Sequence, residues 1–208
     1  MDNLFRYDNK FFEALGKISN TVILNLLCIV SCIPIITIGA SVTATYFVAM
    51  QIVKDEESYI IKEFIKRFKE NFIISTKIWI IMMIIGGVLC FDFYISKLII
   101  NEYIGVILQF IIVMMSIIFV FSITYVFPIV SKFENTLKNT MINSILISIQ
   151  HLPHTIVMTL VNLSPIILIF MLSDYWGQIL FFYTVIGFAI IAYINSIFFN
   201  KIFKQYIN

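Results

Sequence analysis

Few side chains in this sequence carry chemistry, and their spacing decides what kind. Cys28 and Cys32 stand four apart, which puts two soft ligands on one helical face. A metal site needs more donors, and no His, Asp or Glu lies between residues 18 and 53 to supply them. With Cys90 the count is three, an odd number set in apolar runs, so small apolar packing is expected and a disulfide framework is not. His151 and His154 flank Pro153, but no carboxylate is near enough in sequence to complete a metal site, and the proline disturbs the helical spacing. Asp92 is the one acid inside an apolar run. It lies five residues before Lys97 among Phe91, Phe93 and Tyr94, which fits a side chain reaching the membrane interface. Asn139, Asn143, Gln150, His154 and Asn162 recur at helical steps and share one face. In hydrocarbon such a stripe has to face other helices or a polar cavity, so it reads either as interhelical hydrogen bonding or as the lining of a solute path.

The elements that position these residues are membrane helices. At 61% apolar and 12% charged, with a mean hydropathy of +0.99, the 208-residue chain lies far from the composition of soluble domains. A net charge of +2 gives no reason to expect a nucleic-acid partner. No phosphate-binding loop, H-E-x-x-H or G-x-S-x-G motif occurs, and no cofactor or metal is expected. No cleavable leader is expected either, because the first apolar run is too long for one.

Uncharged stretches cover 18–53, 78–91, 103–131, 139–173 and 175–200. Crossing a bilayer takes ~20 residues. The first stretch, as one helix, would be ~54 Å long against ~30 Å of hydrocarbon, and Pro34 and Gly39 stand at its middle. A hairpin over 18–53 places thirteen of the fourteen Lys and Arg on one side, leaving only Lys97 opposite, so the basic side is assigned to the cytoplasm with both termini there. The two limbs are slightly short for full spans, which leaves a re-entrant pair open. The expected fold is therefore an all-α polytopic bundle of six apolar helices, the first two a Pro/Gly-broken hairpin, followed by a 54–77 segment and four transmembrane helices over 78–200. Residues 1–17 and 201–208 form cytoplasmic ends of this single membrane domain.

Residues 54–77 set Ile60, Phe64, Phe68 and Phe72 four apart, with charges opposite. That pattern predicts an amphipathic helix in the inner interface, either a connector or a helix that docks a partner through its Phe stripe.

The first 95 residues resemble the YesL-like family of bacterial multi-pass membrane proteins. The resemblance is carried by Leu4-Phe5, Asp8, Lys10, Asn25-Leu26-Leu27, Pro34, Thr37-Ile38-Gly39-Ala40, Thr43-Ala44, Tyr46, Phe68-Lys69 and Asn71-Phe72. It implies association with carbohydrate ABC importers and their two-component regulators, without an assigned molecular activity. It also directs attention to Asn25, Pro34, Thr37, Gly39 and Thr43 as the break and polar lining of the hairpin. The E-A-A-x-x-x-G coupling loop of importer permeases does not occur in the chain. The functional expectation is a non-enzymatic accessory or regulatory subunit in the bacterial cell membrane, contacting an importer permease or a sensor kinase. The alternative is an independent small-solute transporter or channel.

Overall fold

The computed structural model describes residues 10–56, 59–98 and 102–206, and every regular element among them is helical. Leu4, Phe5 and Asp8 of the sequence motif lie outside the described residues. Helix α1 (Lys10–Cys32) stops just before Pro34, which offers no N–H and disfavours helical geometry in the residue ahead of it. A 3₁₀ turn over Ile35–Thr37 reverses the chain into α2 (Ile38–Val53). The Thr37 hydroxyl sits 2.5 Å from the Ser31 carbonyl and 2.6 Å from that of Pro34, satisfying groups the break leaves bare. The expected hairpin is present.

Helices α3 (Ile60–Ser96) and α4 (Glu102–Lys132) follow, then α5 (Leu137–Gln150) and α6 (Leu152–Met171). The last segment begins with a 3₁₀ turn and runs through α7 (Trp176–Phe182), a π-helical turn over Tyr183–Gly187 and α8 (Phe188–Phe203). Among the described residues, six stretches are long and apolar enough to cross a membrane: Leu15–Cys32, Ile35–Val53, Ile60–Ser96, Tyr103–Lys132, Leu152–Met171 and Ser173–Phe203. The protein is an all-α, multi-pass membrane protein.

Two expectations need correction. Residues 60–77 are not a separate interfacial helix but the first half of α3, which continues unbroken through the apolar 78–96 stretch. The 139–173 run is not one element either: it breaks at His151, and Pro153 falls in the first turn of α6, where its missing N–H costs nothing. Ring contacts fix where α5 lies. Phe133, just before it, packs edge-on against Phe203, and His151, just after it, packs against Tyr206. Both ends of α5 thus adjoin the end of α8, so α5 does not cross. Lys17 pairs with Asp55 at 2.5 Å, and the Asn200 amide donates to the Met50 carbonyl at 3.1 Å. The start of α1, the end of α2 and the end of α8 therefore share this same side.

Depth along α3 divides the molecule. Antiparallel to it, α2 matches Gly39 to Ser75 and Trp79, Thr43 to Ser75, and Phe47 to Arg67. The whole of α2 is used up by residue 79 of α3. Seventeen more residues, about 25 Å of helix, run on to Ser96 beside α4. In this two-helix arm, the described side chains from Met83 to Ile118 are exposed except for Gly86, Leu89, Ser96, Gly105, Gln109, Ile112 and Ser116. Gly105, Gln109, Ile112, Ser116 and Phe119 recur at steps of four and three, a coiled-coil seam whose small residues let the two helices approach closely. A β-carbon on Gly86 would already touch the Phe119 ring at 3.3 Å.

Candidate functional site

Three of the hairpin motif residues, Asn25, Gly39 and Thr43, are buried packing residues. Asn25 is fully buried at mid-helix, with its Nδ2 2.7 Å from the Thr184 carbonyl and 3.2 Å from that of Tyr183, while its Oδ1 accepts from the Ala189 N–H at 2.8 Å. A π turn shifts the helical hydrogen-bond ladder by one residue and frees backbone groups. Asn25 engages three of them across the bundle. Thr43 donates to the Gly39 carbonyl at 2.8 Å, and its hydroxyl lies 2.9 Å from that of Ser75. Gly39 is obligatory for closeness: a β-carbon there would stand 2.5 Å from the Ser75 carbonyl oxygen and 2.8 Å from the Trp79 Cβ. Pro34 is exposed at the tip between Ile33 and Ile35. Cys28 is buried, with the Ser41 hydroxyl donating to its carbonyl at 2.9 Å, and Cys90 is exposed on the arm.

The polar stripe is divided. Asn139 and Gln150 are exposed on α5 with Asn143 half-buried, whereas His154 and Asn162 belong to α6. The buried face of α5 consists instead of Thr140, Ser144, Ile147 and Ser148. Asn162 does face the bundle: it donates to Thr124 at 3.3 Å and accepts from Asn195 at 2.7 Å, and Asn195 also reaches the Tyr46 hydroxyl at 3.2 Å. Asn195, Tyr46 and Ser75 are the partners that reading one helix at a time misses. Asn195 does stand out as a polar residue within an apolar run. Of the two uses weighed for the stripe, Asn162 follows the interhelical one.

The Phe stripe turns inward. Phe64 is 2% exposed and Ile60 8%, both in the core around Tyr46, Ile52 and Phe199, and Phe68 packs against that core in ring contact with Phe64 and Phe72. Ile60 and Phe64 are thus spent on the chain's own core, while Phe68 and Phe72 stay half-buried. The outer face of this half of α3 carries Lys62, Lys66, Lys69, Glu70 and Lys77, all exposed. Arg67 stacks on Phe47 at 3.9 Å and pairs with Glu63 at 2.8 Å and Glu70 at 3.0 Å. Asp92 is exposed on the arm, one turn from the end of α3. Trp79 is half-buried against Phe127, while Tyr175 and Trp176 are exposed beside Asp174.

A cavity of about 360 Å³ opens where α5 meets the ends of α4 and α8. Ile129, Phe133, Leu146 and Ile147 form its apolar wall, and Asn135, Asn143, Gln150 and Tyr206 its polar groups. The Tyr206 hydroxyl donates to Gln150 Oε1 at 2.7 Å and lies 3.1 Å from His151 Nε2. Its single proton is committed to Gln150, so His151 donates through Nε2. Burial and then the neighbouring His154 hold His151 below the ordinary histidine value.

Residues 21–93 match the model of a protein family described as "Protein of unknown function, DUF624". The match runs from the buried half of α1 through the hairpin and along α3 to Phe93, taking in Asn25, Gly39, Thr43 and Phe64. No curated protein and no solved structure matches the chain.

Proposed function

We propose that this protein is a non-enzymatic accessory or regulatory subunit of the bacterial cell membrane that works by docking another membrane protein along the outer face of α3. The observation that carries this reading is the mismatch between α3 and the bilayer. Its 37 residues measure about 55 Å, and even a 40° tilt leaves about 42 Å against ~30 Å of hydrocarbon. With a bilayer centred on the hairpin, Lys62, Lys66 and Lys69 lie beside α2 toward lipid tails, and the apolar arm extends past the hairpin tip. Charged side chains facing hydrocarbon are costly, and so is an apolar helix pair facing water. A second protein against α3, acidic beside the lysines and apolar beside the arm, removes both costs.

The resemblance to the YesL-like family implies an importer-associated setting, and residues 21–93, which match the family of unknown function, cover most of the stretch that carries that resemblance. In that setting the partner is a carbohydrate ABC importer permease or its sensor kinase, and the lysine-rich side faces the cytoplasm. Asn25, Thr43 and Asn162 spend their hydrogen bonds inside the bundle, which favours docking over a solute path.

The test is affinity capture from mildly cross-linked native membranes, read by mass spectrometry, beside a variant carrying Lys62→Glu, Lys66→Glu and Lys69→Glu. Permease or kinase peptides captured by the native chain and lost in the variant, with unfolding temperature unchanged, bear the proposal out. A chain that comes down alone refutes it.

A further inference from the structure

The α4–α5–α8 cavity has the make-up of a binding site, and the docking reading makes no use of it. About 360 Å³ is within the size range of small-molecule pockets, and an apolar wall with a few convergent polar groups is their usual composition. None of its lining side chains is charged. Asn135 and Asn143 hold no side-chain hydrogen bond to any described residue, so two carboxamides, each with two donors and an acceptor, face the cavity uncommitted. Gln150 has its oxygen taken by Tyr206, which leaves its NH₂ as a donor. The Phe133 and Tyr206 rings belong to the same lining.

From this set we infer that the cavity binds an uncharged, polyhydroxylated ring. Each hydroxyl of such a ligand both donates and accepts, which is what a group of carboxamides can answer at every position. Its C–H face suits an aromatic wall. An anion would find no cation in the lining, and a purely apolar ligand would strand the amides at a desolvation cost. The Tyr206 hydroxyl, bridging Gln150 and His151 across the α5–α6 break, holds one rim of the site. Two sources share this chemistry: a free sugar, and the sugar headgroup of a glycolipid whose acyl chains lie along the exposed Leu146 side of α5.

The experiment uses the full chain in a polyoxyethylene detergent, since glucoside and maltoside detergents would compete for the site. Thermal shift and calorimetry are run with methyl β-D-glucoside, with glucosyl-diacylglycerol in nanodiscs, and with glucose 6-phosphate. Saturable binding of the first indicates a free sugar, and binding of the second alone a glycolipid headgroup. Asn143→Leu and Gln150→Met should each weaken that binding about tenfold or more, while Asn139→Leu, on the same helix but outside the cavity, leaves it unchanged. Unfolding temperatures without ligand check that the variants fold. The inference is overturned by absence of binding from both neutral sources, by preference for the phosphate, or by binding that ignores the Asn143 and Gln150 substitutions. None of these outcomes depends on whether a protein partner is captured on α3.

Discussion

The two halves of α3 obey different rules. From Ile60 to Trp79 it is locked against the hairpin, with Phe64 2% exposed, Ser75 bonded to Thr43 and a backbone approach at Gly39 that leaves no room for a methyl group. From Met83 onward it touches α4 along a seam that Gly86 and Gly105 bring close, and shows its remaining faces outward. The difference teaches that the first half is specified by contacts within the chain, whereas the second is shaped for what surrounds it. Substitutions should therefore be expensive in one half and nearly silent in the other.

The largest contrast is predicted between two core substitutions and one arm substitution. Gly39→Leu forces a side chain into the Ser75 carbonyl, and Phe64→Ala empties a fully packed site. Each should cost about 3 kcal/mol or more, seen as loss of folded yield and a lowered unfolding temperature in detergent. Gly87→Leu, with nothing within 4 Å of its would-be β-carbon, should stay within about 0.5 kcal/mol. Equal losses at positions 39 and 87 would erase the distinction between the halves.

A smaller effect separates polar packing from polar lining. Asn25→Leu strands the Ala189 N–H and two carbonyls of the π turn, and should destabilise by about 1–3 kcal/mol. Were Asn25 the lining of a water-filled path, its loss would leave the unfolding temperature in place.

Acid should act where α5 meets α6. His151 is held below 6.5 chiefly by burial, so the fold favours its neutral form. The stability this contributes is fully present above pH 6.5 and is lost as pH falls through the lowered value. His151→Gln should flatten unfolding temperature against pH below 6.5. An unchanged slope would assign the acid sensitivity elsewhere. Smallest of all, Val88→Ala and Ile107→Ala on the outer face of the arm should move stability by less than about 0.5 kcal/mol while changing capture of a partner.

Much of this was legible in the sequence. Pro34 and Gly39, with the one-sided lysines, were enough to place the hairpin, because a proline break and charge asymmetry are local signals. The Phe64 stripe was legible as an apolar face, but periodicity does not say what covers a face, and here the chain's own hairpin covers it. The Asn139 to Asn162 stripe failed because helical spacing across His151 presumes one continuous helix. Hydropathy carries no depth, so the 25 Å by which α3 outruns α2 had no signature. Nor did the pairing of Asn25 with a π turn about 160 residues away, since only tertiary structure brings those groups together.

The central claim is that the outer face of the arm is covered by another protein. Photo-cross-linking residues at positions 88 and 107, activated in native membranes, test it at the surface itself, with an aromatic photo-cross-linker in place of the half-buried Phe68 as the internal control. Adducts of one defined higher mass are expected from 88 and 107, identified as a membrane protein, and mainly intrachain products from 68. Adducts to lipid alone at both arm positions would contradict it.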